Sequence, residues 1–184
     1  ILASGFNLTI NGSNFAENIA GTDPNGQNNG GEGGALYVTS TASLITGTRF
    51  NKNKSSSGNR TNSGGGAIFN SGLLMEVMGS VFAGNEVNGD QWHGGAIFNN
   101  SSGILSVSYS HYGTTPLPLP PPFNTLTDPN KANGANSIGG AIHNLGRVLV
   151  VGTSFIGNTS ANNGGAFGTA TLNDDSQIIN CTFS

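Results

Sequence analysis

Charge is scarce in this chain. Only 8% of its 184 residues are Asp, Glu, Lys or Arg, and the net charge is −3, against about a quarter charged in ordinary soluble domains. An acidic balance and only six basic residues argue against nucleic acid as a partner, which needs clustered Lys and Arg, so none is expected. No apolar run approaches the roughly eighteen residues of a membrane-spanning helix, so this segment is not expected to span a membrane. The single cysteine, Cys181, has no partner for an internal disulfide. A signal peptide pattern and an initial Met are both missing, so the chain reads as a mature form or a fragment. Helix-forming periodicity is also missing, because Gly and Asn recur too often for long helices.

What the chain has in excess is Gly, at 30 residues, with abundant Asn, Ser and Thr. Such a composition suits disorder unless its apolar residues recur at fixed places, and here they do. A block ending in an aromatic occurs six times: 8–18, 43–53, 75–85, 105–115, 148–158 and 176–184. Its aromatic falls at Phe15, Phe50, Phe82, Tyr112, Phe155 and Phe183. A glycine block alternates with it: GGALYV (33–38), GGAIFN (65–70 and 94–99), GGAIHN (139–144) and GGAFGT (164–169). A recurrence of roughly thirty residues is the signature of a solenoid.

Five residues before the aromatic stand Ile10, Ile45, Val77, Val107, Val150 and Ile178, a β-branched column suited to a buried strand. Two before it stand the small residues Ser13, Thr48, Ser80, Ser110, Thr153 and Cys181. Three before it, Gly12, Gly47, Gly79 and Gly152 permit a bend. Asn18, Asn53, Asn85 and Asn158 follow the aromatic by three residues, and Asn70, Asn99 and Asn144 close glycine blocks, at positions suited to turns. Each rung therefore reads as two strands and at least two turns. The expected fold is all-β: a right-handed parallel β-helix of about six rungs forming one domain over 1–184. Residues 113–137, with their Pro run, read as a loop insertion that cannot join a ladder. With no amphipathic cap at either end, the chain is expected to be a segment of something longer.

These motifs resemble the repeats of the chlamydial polymorphic outer-membrane proteins and related β-helix surface proteins. The matching residues are GGAL at 33–36, GGAI at 65–68, 94–97 and 139–142, FAEN at 15–18, FNKN at 50–53, FAGN at 82–85 and FIGN at 155–158. The resemblance implies a secreted, adhesin-like passenger followed by a membrane barrel, and no barrel lies in this segment.

Candidate chemistry is thin. β-Helix lyases and hydrolases need clustered carboxylates, and the one adjacent acidic pair, Asp174 and Asp175, falls in a turn. His93, His111 and His143 lack metal-ligand spacing. No catalytic residue, metal ligand or cofactor is expected. The column Leu36, Ile68, Ile97, Ile142 and Phe167 is placed inside, so alternation turns Tyr37, Phe69, Phe98 and His143 outward as a candidate interaction ladder. Trp92 in its loop, and Leu117, Leu119 and Phe123 in the insertion, complete that surface, each with packing on its own scaffold as the alternative. Eight N-x-S/T sequons, at Asn7, Asn11, Asn53, Asn59, Asn99, Asn100, Asn158 and Asn180, suit a non-cytosolic setting.

The expected function is a non-enzymatic structural or interaction module of a secreted or cell-surface β-solenoid, adhesin- or scaffold-like, with a protein or glycan partner. The alternatives are a structural subunit of a larger extracellular or organelle-lumen assembly, and a carbohydrate-active enzyme.

Overall fold

The computed structural model describes residues 1–21, 31–56, 63–114, 128–169 and 176–184. They form a right-handed parallel β-helix of about five turns, with no helix among them. Four strands build each of the first five rungs and three are described in the last, where the sequence suggested two per rung. The first sheet stacks Leu2–Ala3, Leu36–Val38, Ile68–Asn70, Ile97–Asn99, Ile142–Asn144 and Phe167–Thr169. The second stacks Asn7–Asn11, Ala42–Thr46, Leu74–Met78, Ile104–Ser108, Arg147–Val151 and Gln177–Ile179. In the third lie Asn14–Ala16, Arg49–Asn51, Val81–Ala83, His111–Gly113, Ser154–Ile156 and Thr182–Phe183. The fourth holds Ile19–Ala20, Lys54–Ser56, Glu86–Asn88, Lys131–Ala132 and Thr159–Ser160.

The extra strands arise at two left-handed corners. Glycine at φ between +51° and +56° breaks the aromatic block into a second-sheet and a third-sheet strand at Gly12, Gly47, Gly79 and Gly152. Tyr109 (φ 48°) and Asn180 (φ 51°) adopt the same conformation in the two rungs without that glycine. The corner before the F-x-x-N asparagine is left-handed too, at Glu17, Lys52, Gly84 and Gly157, and a short fourth strand follows it.

Every inward column meets its own kind one rung away. The pairs Ile10↔Ile45, Val77↔Val107 and Val107↔Val150 are in register, and the aliphatic column Leu36, Ile68, Ile97 and Ile142 lies in the same buried core. Inside it the aromatics stack along the axis: Phe15 on Phe50 at 5.0 Å, Phe50 on Phe82 at 4.7 Å, Phe82 on Tyr112 at 4.6 Å and Tyr112 on Phe155 at 5.0 Å. The small column has a polar reason beyond size. Thr48 Oγ1 donates to Thr46 O at 2.9 Å and Ser80 Oγ to Met78 O at 3.1 Å, while Ser80 Oγ accepts from Thr48 N–H at 3.2 Å.

Two asparagine ladders close the corners. Asn18 Nδ2 donates to Asn53 Oδ1 (2.8 Å), Asn53 to Asn85 (2.9 Å), Asn85 to Asn130 (2.9 Å) and Asn130 to Asn158 (2.8 Å). Each of these oxygens also accepts the backbone N–H of the preceding Asn. Asn70, Asn99 and Asn144 form the second ladder, at 2.7 Å per step. Asn130 corrects the extent of the insertion. Gly113 still pairs with Ile156, and Asn130 to Ala132 have already rejoined the stack, so 113–137 was too wide. The Pro run lies outside the described residues.

The glycine pair is required twice over. A Cβ on Gly94 would lie 2.1 Å from Ile97 O, and one on Gly95 would lie 2.0 Å from Gly140 O of the next rung. The first glycine makes the tight turn, with φ 69° at Gly94, and the second lets neighbouring backbones touch.

Val107→Asp buries an unpaired charge in the inner column and is expected to lower unfolding stability by several kcal/mol, while half-buried Ser106→Asp next to it costs far less. Denaturant unfolding of both variants tests the facing, and equal losses contradict it. The Tyr112 hydroxyl is buried with no hydrogen-bond partner. Tyr112→Phe restores the column residue and is expected to raise stability by about 1 kcal/mol in the same assay.

Candidate functional site

The outward aromatic column forms, but it is not an open surface. Tyr37 stacks on Phe69 at 5.1 Å and Phe69 on Phe98 at 5.1 Å, and Phe98 meets a tilted His143 at 5.5 Å. Phe69, Phe98 and His143 are nevertheless buried, at 5%, 0% and 2% exposure, and only Tyr37 is half-exposed. Strand alternation points these rings away from the core, as expected. A second layer then lies over them, in which Trp92–His93 pairs in parallel with Ser63–Gly64. His93 sits 4.5 Å from His143 and 6.4 Å from Phe98. Trp92 is fully buried against Val87 and Ala132, as its packing alternative held. The ladder is a largely covered stack of rings and not an open binding face. Leu117, Leu119 and Phe123 lie outside the described residues, as do Asp174 and Asp175.

The histidines are held neutral. His93 Nδ1 accepts the Ile138 N–H at 3.0 Å, and burial lowers its pKa. His143 Nδ1 is buried without a partner. Burial, reinforced by His93, pushes the His143 pKa down to about 3. His111 lies half-buried on the outer side, its Nε2 2.9 Å from Thr114 O and its Nδ1 2.6 Å from Ser154 Oγ. Donation to the carbonyl leaves Nδ1 to accept from the serine. Burial lowers the His111 pKa, against smaller opposing effects of backbone at Thr114 and Gly113. Among the described residues no three His, Cys, Asp or Glu side chains gather as metal ligands.

Among the described residues two surfaces stand open, and the sequence reading singled out neither. The first is the outward face of the second sheet. Met78, Ile104 and Leu149 are exposed there with Glu76, and shallow hollows lie around Leu44, Glu76 and Ser106. Tyr109, 70% exposed, stands at the corner of that face with its ring edge over Gly152, where an added Cβ would lie 3.0 Å from Tyr109 Cδ1. The second is a charged groove between the third and fourth sheets, lined by Lys52, Lys54, Glu86, Asp128 and Lys131. The sequence signal for Tyr109 was its departure from a glycine column. The groove had only a faint one: Lys54, Glu86 and Lys131 each follow a ladder asparagine, but their charges differ in sign and make no uniform column.

The sequons divide in the same way. Asn53 and Asn99 are fully buried ladder members, whereas Asn7, Asn11 and Asn180 are exposed. No family model, curated protein or solved structure matches the chain.

The buried histidines set a pH dependence. A base whose pKa falls on folding leaves the unfolded chain binding more protons, so stability is full above about pH 6.5 and declines below it. For His143 alone the loss by pH 5 is about 2 kcal/mol. His143→Phe matches the column of Phe69 and Phe98. Urea unfolding at pH 7.5 and pH 5 is expected to show the acid loss shrinking by about that amount in the variant, and an unchanged loss excludes His143 as its source.

Proposed function

We propose that this β-solenoid is a non-enzymatic structural and interaction module, adhesin- or scaffold-like, of a secreted or cell-surface protein, and that it meets a protein or glycan partner on the outward face of its second sheet. The observation that carries this reading is Tyr109. It occupies a left-handed corner (φ 48°) where Gly12, Gly47, Gly79 and Gly152 stand in other rungs. A non-glycine residue there costs about 1–2 kcal/mol. The ring recovers little of that by burial, being 70% exposed. Strain held without a packing return marks residues kept for contact, and an exposed tyrosine is a residue type enriched at interfaces. Met78, Ile104 and Leu149 supply apolar neighbours on the same face.

Support for a structural role comes from the polar repeat residues. Asn, Ser and Thr in the repeated columns are engaged rung to rung, so the regularity of the chain serves stacking. The GGA-I and F-x-x-N motifs, with their resemblance to surface-protein repeats, and the exposed sequons favour a secreted or surface location.

Tyr109→Gly separates the two roles. It is expected to raise stability by about 1 kcal/mol while lowering adhesion of protein-coated beads to cultured epithelial cells. Wild-type beads that do not adhere, or variant beads that adhere equally, contradict the reading.

A further inference from the structure

On a face separate from Tyr109, the charge this chain otherwise lacks is concentrated. Of its six basic and nine acidic residues, Lys52, Lys54, Lys131, Glu86 and Asp128 line one groove of about 190 Å³. They come from three successive rungs. Lys54, Glu86 and Lys131 are direct cross-strand neighbours in the fourth sheet. Lys54 Nζ lies 3.2 Å from Glu86 Oε2, and Lys52 Nζ lies 3.2 Å from Asp128 Oδ2. Gly84 forms the floor. Its N–H donates to Asp128 O at 2.8 Å, and a Cβ on it would lie 3.0 Å from Asp128 Cβ and 3.1 Å from Lys52 Cγ. Glycine at that corner therefore leaves the space in which the Lys52–Asp128 pair closes.

The charges do not balance. Each carboxylate has its own lysine, and exposed Lys131 adds a third cation beside Glu86. Burial raises the Glu86 pKa, but hydrogen bonds from Lys54, Asn88 and Asn133, with the Lys54 charge, outweigh it and hold the group below its ordinary value, so it stays ionised. Two fixed carboxylates repel a multiply charged anion such as phosphate. They favour a ligand with one negative charge and several hydroxyl donors, because carboxylates accept hydroxyl hydrogen bonds while a lysine pairs with a carboxylate.

We propose that this groove binds a uronic-acid unit of an acidic glycan, with Lys131 paired to the sugar carboxylate and Asp128 and Glu86 accepting hydrogen bonds from its hydroxyls. The site is independent of the Tyr109 face, and Tyr109→Gly leaves it intact. Nitrogen-15 NMR titration of the full chain with galacturonic acid, neutral galactose and inorganic phosphate tests it. Saturable shifts are expected for the amides of Gly84, Glu86 and Lys131 with the uronate, with a Kd on the order of 1 mM. Lys131→Gln changes an exposed side chain and is expected to weaken the uronate about tenfold with the remaining spectrum unchanged. Absence of saturable shifts up to about 20 mM uronate, equal binding of phosphate or galactose, or an unaltered Kd in Lys131→Gln overturns the proposal.

Discussion

Everything in this molecule depends on like meeting like across parallel strands. A single rung cannot bury its inner face, so each side chain is covered by its counterpart one turn away. In a parallel register with fixed strand spacing, the counterpart is the residue of the same column. Isoleucine packs on valine, ring on ring and amide on amide, as Val77 on Val107, Phe50 on Phe82 and Asn53 on Asn85 show. Buried amides would be a liability in an apolar core. Here the oxygens of Asn53, Asn85, Asn130 and Asn158 each accept both the side-chain and the backbone N–H of the preceding asparagine, so these polar corners are satisfied by the same repetition that builds the apolar ones.

That rule also explains what the sequence revealed. Columns that must meet their own kind recur in the chain, so the Phe, Ile/Val and Gly positions were legible without coordinates. Asn130 was not, because the insertion places it far beyond the three-residue spacing that follows Phe15, Phe50 and Phe82. The left-handed corner at Tyr109 was visible as a departure from glycine, but its cost became plain only with the backbone angle.

The candidate surfaces were less legible, for a different reason. Alternation along a strand tells which way a side chain points and nothing of what the intervening segment lays over it. Tyr37, Phe69, Phe98 and His143 point outward as read, yet His93 comes from a short strand with no repeat signature and packs against Phe98 and His143, which are buried along with Phe69. Lys54, Glu86 and Lys131 share the position after the ladder asparagines, but their charges differ and the insertion displaces Lys131 and Asp128 along the chain, so no charged column stood out.

The asparagine ladder has one more property. From Asn18 to Asn130 each side-chain amide donates to the amide oxygen of the next asparagine in the ladder, so all four amide-to-amide links run the same way, while Asn53, Asn85, Asn130 and Asn158 also donate to a backbone carbonyl of the preceding rung. The row of amides is therefore a one-way wire, with its dipoles summed along the solenoid axis. A dyad that turns one stack end over end against another sets donor against donor or acceptor against acceptor. Any rung that extends this ladder must arrive with the same polarity, so growth of the stack is head-to-tail by chemistry as well as by shape.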